Sequence, residues 1–154
     1  KEQPDWRLEI YGKGEVKNIE QLQTMIDDYN IADQVKICGE TNNLESKMLQ
    51  SSLYIMSSKT ECFPMVLLEA MSCGLPIVSY DCPNGPKNII SDQNDGILIP
   101  MDDPRKLADG VLSIINNNEN LKKKAKNARE NIKRFSPENV SNMWEKLFRE
   151  LIKN

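Results

Sequence analysis

"SSKTECFPMVLLEAMSCGLPIVSYDCPNGP", residues 57–86, decides the reading of this chain. Its centre is apolar with helical spacing, bounded by Pro64 at the front and by Gly74 behind. Proline suits the first helical position, where its missing N–H costs nothing, and glycine suits the left-handed residue that ends a helix. A helix over 64–73 is therefore expected, entered from a strand near 52–57 and left towards a strand near 76–80. Two carboxylates interrupt the pattern: Glu61 in the loop before the helix and Glu69 about a turn and a half inside it. A buried carboxylate is costly unless it meets a partner, so each is either a water-facing side chain or a ligand-binding one.

Working outward, short apolar runs alternate with longer amphipathic ones. Strands are expected at "RLEIYG" (7–12), "QVKICG" (34–39), "SLYIMS" (52–57), "PIVSY" (76–80) and "GILIP" (96–100). Each is short, β-branched or aromatic, and closed by Gly, Pro or a polar turn. Helical stretches lie between them, at 15–30, 42–51, 64–73, 85–91 and 103–117. Such alternation implies an α/β fold, a doubly wound, Rossmann-like parallel sheet with helices on both faces. Residues 118–134 and 137–153 read as two further charged helices, the second capped by Ser136 with Pro137 at its first position. Residues 1–117 then form the Rossmann-like part, which the helices of 118–154 complete.

Composition excludes several classes. The 154 residues suit one domain with a sizeable core, and a net charge of −3 offers no basic field for nucleic acid. No apolar run approaches the roughly 20 residues that span a bilayer, and "KEQPDW" has no feature of a secretory leader. Cys38, Cys62, Cys73 and Cys82 lack metal-ligand spacing and read as free thiols in a reducing compartment. With no histidine, acid–base work within the chain must fall to carboxylates, Lys, Tyr or Cys. The basic run 121–134 reads as a solvated helix face rather than a lipid-binding one, because Leu121, Ala125, Ala128 and Ile132 recur at core spacing. Trp144, Leu147, Phe148 and Leu151 form an apolar stripe on the last helix, which predicts association.

The helix tip offers the N–H groups of Met65, Val66 and Leu67 and the positive end of the dipole. An anion there gains about 0.3–1 kcal/mol from the dipole, besides direct hydrogen bonds. A carboxylate further along the helix suits a diol instead, at about 1.5–3 kcal/mol for each charge-assisted bond. Together they point to a nucleotide diphosphate, with phosphate at the tip and sugar hydroxyls on the second glutamate.

Several linked motifs carry a resemblance that covers residues 4–150. "ECFPMVLLEAMSCGLP" places a glutamate, seven residues and a second glutamate; "GPKNII", "NDGILIP" and "DDPRKLADGV" follow in order, and "DWRLEIYGKGE" and "VKICGETNNLESKMLQSSLYIMSS" precede. The whole resembles the carboxy-terminal, donor-binding domain of retaining GT-B glycosyltransferases, more narrowly glycosyltransferase family 4, also called glycosyl transferases group 1. The resemblance implies transfer of a sugar from a nucleotide-diphospho-sugar, with UDP the commonest carrier, to a glycan or lipid-linked acceptor in bacterial surface polysaccharide synthesis. It implies no bound metal and a cytoplasmic setting, at the inner face of the membrane when the acceptor is lipid-linked.

By position, Glu69 matches the residue that holds the ribose hydroxyls and Glu61 the one near the transferred sugar, to which a catalytic-base role is also given. Cys62 and the backbone of Phe63, Pro64, Met65 and Val66 match the stretch that approaches sugar and phosphate. Gly12 and Gly14 match glycines beside the nucleotide, and the segment after Gly39 the base. Cys62 departs from the pattern, which has Gly there, and is expected to fill space as a small apolar side chain rather than act as a reactive thiol; Lys87 stands where Glu is common. The strand and basic segment that usually open the domain are absent, as is the acceptor half, so the chain is expected to be part of a longer enzyme and inactive alone. Strands 7–12 and 52–57, which would flank the absent strand, are expected either to pair or to leave an edge that a second copy covers. Two other readings stand beside this one: a non-enzymatic nucleotide-binding or interaction domain, and a nucleotide-sugar epimerase, ranked last for want of histidine.

Overall fold

The computed structural model describes residues 3–152. Five strands alternate with helices, as the pattern requires: β1 (Leu8–Tyr11), α1 (Val16–Asp28), β2 (Val35–Gly39), α2 (Leu44–Leu49), β3 (Tyr54–Met56), α3 (Met65–Ser72), β4 (Ile77–Tyr80), α4 (Pro86–Ile89), β5 (Gly96–Ile99) and α5 (Pro104–Ile115). Then follow α6 (Asn118–Asn131), a 3-10 turn (Ile132–Phe135) and α7 (Pro137–Ile152). Every strand is parallel to its neighbour. The mixed α/β, Rossmann-like class is thus as expected.

The chain divides into two compact units, one ending at Leu44 and the other beginning at Glu45. In the first, β1 pairs with β2, Leu8 opposite Val35 and Ile10 opposite Ile37, with α1 as the crossover. In the second the strand order is β3-β4-β5. β1 hydrogen-bonds to β2 and β3 to β4, so the direct pairing of 7–12 with 52–57 is not realised, and β3 ends its sheet.

β4 is the axis of the second unit, and all four of its residues are buried. Successive side chains point to opposite faces. Ile77 joins Met56, Leu67, Met71, Ile89, Ile90 and Ala128 on the face covered by α3, α4 and α6. Val78 and Tyr80 join Ile97, Ile99 and Ile114 on the face covered by α5. Each fully buried Leu, Ile or Met contributes about 1.5–3 kcal/mol. The sheet is therefore wrapped on both sides, which sets α3 and α4 along one face with their first residues near the carboxyl ends of the strands.

The helix ends follow their caps. Ser136 Oγ accepts from the Asn139 N–H at 3.2 Å, and Asp103 Oδ1 from the Lys106 N–H at 3.0 Å, with Pro137 and Pro104 next in line. Gly74 takes φ +79°, as its place after α3 demands; the Leu75 N–H reaches Ala70 O at 2.9 Å and the Gly74 N–H reaches Met71 O at 2.9 Å. A Cβ at Gly74 would overlap the Arg129 guanidinium, whose Nη2 donates to Cys73 O at 3.3 Å. α6 is thereby keyed to the end of α3.

A buried polar cluster ties α6 to the loop 91–96. The Asp95 carboxylate accepts from the Ser91 N–H at 2.9 Å and from Asn131 Nδ2 at 2.5 Å, and Lys124 Nζ donates to Gln93 O at 2.5 Å. Burial pushes the Asp95 carboxyl above its ordinary value, while these hydrogen bonds and the charges of Arg134 and Lys124 pull it back. Burial likewise lowers the Lys124 ammonium, offset by Asp92 and Asp95. Within the basic run, Ala128 is buried and Lys122, Lys123 and Lys126 are exposed, so the apolar spacing faces the core as expected, with Lys124 as an inward basic residue that was not expected.

Candidate functional site

The segment 57–64 leaves β3 without regular structure and delivers the chain to the tip of α3. Pro64 is the residue before the helix, with φ −71° and ψ 94°, and Met65 is the first helical one. That moves the start one residue beyond the expected Pro64. It also corrects the donor count at the tip. The Leu67 N–H is taken by Pro64 O at 3.0 Å, leaving the N–H groups of Met65 and Val66 at the dipole's positive end, and no side chain caps them. Met65 points to solvent, whereas Val66 packs against the core cluster.

Glu61 is half-buried and Glu69 exposed. Glu69 stands on the narrow solvent face of an otherwise inward helix, with Leu67, Ala70 and Met71 in the core. Its carboxylate therefore bears no burial cost that would demand a partner. Both glutamate charges act on one group: burial pushes the Tyr54 hydroxyl up, and Glu61 and then Glu69 push it further. Glu61 also adds to the burial that raises the Cys82 thiol. The two carboxylates thus share a neighbourhood on the α3 side of β3 and β4.

The loop around Glu61 is closely packed. A Cβ at Gly85, in the turn "NGP" before α4, would stand 2.9 Å from Pro64 Cδ and 3.1 Å from Glu61 Cβ. On another side the Phe63 ring meets Phe135 edge-on, with centroids 5.9 Å apart at 68°. Arg134 lies over Phe135, its Cζ 4.1 Å from the centroid, and its Nη2 donates to Asn88 O at 2.8 Å and Ile89 O at 2.6 Å. Gly85, Arg134 and Phe135 were not among the residues singled out from the sequence. The turn residues "NGP" were the available signal for the first; nothing in the pattern marks the other two.

Cys62 is exposed rather than filling space, so a side chain where the family pattern has Gly projects to water. Lys87 is exposed as well.

In the first unit, Gly12 and Gly39 meet where β1 and β2 end: the Gly12 N–H donates to Gly39 O at 2.9 Å. Both have positive φ, +137° and +70°, conformations open to glycine. Gly14 is exposed beside Ile19, whose Cγ1 would stand 3.2 Å from an added Cβ. Of the residues singled out, Glu61, Cys62, Phe63, Pro64, Met65, Val66 and Glu69 cluster in the second unit, and the three glycines belong to the first.

A family model described as glycosyl transferases group 1 matches residues 1–133. The chain belongs to this family. Among curated relatives of this group 1 chain, an exopolysaccharide phosphotransferase of Streptomyces coelicolor is 34% identical over 150 residues, 97% of this chain and 16% of that protein. A poly(ribitol-phosphate) α-N-acetylglucosaminyltransferase of Staphylococcus aureus is 31% identical over 143 residues, 92% of this chain and 29% of that protein. Among solved structures, TarM superposes with a TM-score of 0.82 at 31% identity over 92% of this chain and 28% of its own. A Staphylococcus aureus TarM variant, crystallised with fondaparinux, α-GlcNAc-glycerol and UDP, superposes equally well, with a TM-score of 0.82. The group 1 chain thus has the fold of a GT-B carboxy-terminal domain and spans less than a third of these relatives.

Proposed function

We propose that the chain is the nucleotide-sugar-binding half of a retaining glycosyltransferase of family 4, acting on a glycan or lipid-linked acceptor in bacterial surface polysaccharide synthesis. The observation that carries this is the pair Glu61 and Glu69, set around the uncapped tip of α3 and both acting on Tyr54. The diphosphate meets the N–H groups of Met65 and Val66. Glu69, exposed and unburdened by desolvation, accepts from the ribose hydroxyls. Glu61, half-buried in a packed loop, faces the transferred sugar, and the backbone from Cys62 to Pro64 lines its approach. Gly12, Gly14 and Gly39 keep the nucleotide-side role that the resemblance implies for the first unit.

UDP in a TarM variant and N-acetylglucosaminyl transfer by the Staphylococcus aureus relative favour a UDP-sugar donor. Preorganised donors at the helix tip stabilise the leaving diphosphate without a resident metal, so transfer is expected to survive chelation by EDTA. The acceptor, and any encounter with the inner membrane face, fall to the rest of the protein; no helix of the described residues is long and apolar enough to cross a membrane.

The deciding experiment titrates the full-length protein with UDP-, GDP- and ADP-sugars and compares the wild type with Glu69→Ala. Loss of a charge-assisted pair predicts affinity lower by about tenfold or more. Unchanged donor affinity overturns the ribose assignment. Donor binding with no transfer to any glycan acceptor supports a non-enzymatic domain instead.

A further inference from the structure

We propose that Gly85 is a positioning residue for sugar transfer, its missing side chain setting where Glu61 stands. This rests on the reading of Glu61 as the residue that faces the transferred sugar. Glu61, Cys62 and Phe63 form no side-chain hydrogen bonds among the described residues, and the ion pair from Lys59 to Asp102 earlier in the loop, 3.5 Å long, is open to solvent, so packing is what places these three residues. The packing has two sides. One is the NGP turn, where Gly85 lies against the Pro64 ring and Glu61 Cβ; the other is Phe135, edge-on to Phe63.

The φ of Gly85, −136°, is outside the left-handed region that favours glycine. Space is the reason for glycine here. A Cβ at 85 would press on Pro64 Cδ at 2.9 Å, Glu61 Cβ at 3.1 Å and Pro64 Cγ at 3.4 Å. None of these is the free end of a flexible side chain. Either the turn or the loop must move by some tenths of an ångström. The turn is poorly able to retreat, because Gly85, Pro86 and Ile89 are buried. The far end of α4 is held as well: Arg134 donates to Asn88 O and Ile89 O, and Asn131 to Ile89 O at 2.9 Å. The loop yields, and Glu61 with it. Val66, Leu67 and Met71 seat α3 in the core, so Glu69, further along the helix, stays in place. The displacement thus falls on Glu61 and on the Pro64 edge of the helix tip, and leaves the ribose end of the proposed site alone.

The test uses the full-length protein and whichever of UDP-glucose, UDP-N-acetylglucosamine, GDP-mannose and ADP-glucose the wild type turns over fastest. Because a 1 Å misplacement can cost a hundredfold, Gly85→Ala is expected to lower kcat about tenfold or more, with KM for the donor moving less than about threefold. Thermal unfolding reports whether the fold is kept. In a Pro64→Ala background, which removes the ring atoms that the new Cβ strikes, Gly85→Ala is expected to cost at most about a third of that factor. Should Gly85→Ala not fold, Phe135→Leu releases the loop from its other side and is expected to lower kcat in the same sense with KM held. Wild-type kcat in Gly85→Ala, or an equal loss in both backgrounds, overturns the positioning role; so does wild-type kcat in Phe135→Leu where Gly85→Ala is unfolded. Glu61→Gln separates the two ideas: wild-type turnover there defeats the assignment of Glu61 itself, whatever Gly85 does.

Discussion

At single positions, exposure sorts the candidates more sharply than residue type. Glu69 sits on the open face of α3, so Glu69→Ala is expected to leave stability within about 0.5 kcal/mol while lowering donor affinity, a separation that urea unfolding and donor titration read together. Gly74 behaves oppositely. Its positive φ disfavours any Cβ, and the Arg129 guanidinium above it would have to swing aside, so Gly74→Ala costs about 1–2 kcal/mol for the backbone conformation alone, measured by urea unfolding. The place of Gly74 was legible from "SCGLP", because a glycine before Leu-Pro at a helix end has one common use. Gly85 was legible only as part of the turn "NGP"; that the position must be free of a Cβ is set by a contact made across the fold. The expectation that Cys62 fills space failed for the same cause, since loop side chains take their direction from what lies opposite.

Among the elements, strands and helices were readable throughout, with boundaries off by at most three residues, the largest at the end of α6, where a 3-10 turn replaces the expected helix over 132–134, because period and punctuation are local properties. The clasp between α6 and the loop 91–96 was beyond that reading. Lys124 looked like one more basic residue of a solvated run, yet it is buried, its ammonium on Gln93 O. Asn131→Ala removes the donor to both Asp95 and Ile89 O and leaves a buried carboxylate short of a partner. A loss of about 1–3 kcal/mol is expected by chemical denaturation. The same cluster predicts a pH response. Burial holds the Asp95 carboxyl above its ordinary 3.8, so the folded chain keeps this proton after the unfolded chain has lost it. Its contribution is full below 3.8 and declines as pH rises through the raised folded value. Asp95→Asn removes that decline. Melting curves between about pH 3 and 7 should show the variant gaining on the wild type as pH rises.

For the molecule as a whole, parallel sheets wrapped by helices were legible from the alternation of runs, but the division at Leu44 was not. Sheet order depends on hydrogen bonds between distant strands, which no local pattern encodes. The apolar stripe on α7 is open: Met143, Trp144, Leu147, Phe148 and Leu151 are all exposed, and Trp144 stacks on Phe148 at 5.7 Å. Replacing Trp144 and Phe148 by Lys is therefore expected to leave the melting temperature within about 2 °C while raising solubility, checked by calorimetry and sedimentation. The end of α3 also bears on how members of this family are recombined. Because the guanidinium of Arg129 occupies the room that Gly74 leaves, α6 and the end of α3 form a lock and key separated by more than fifty positions of chain. A chimera that grafts the tail of one relative onto the sheet of another keeps this seat of α6 on α3 when both halves of that lock travel together.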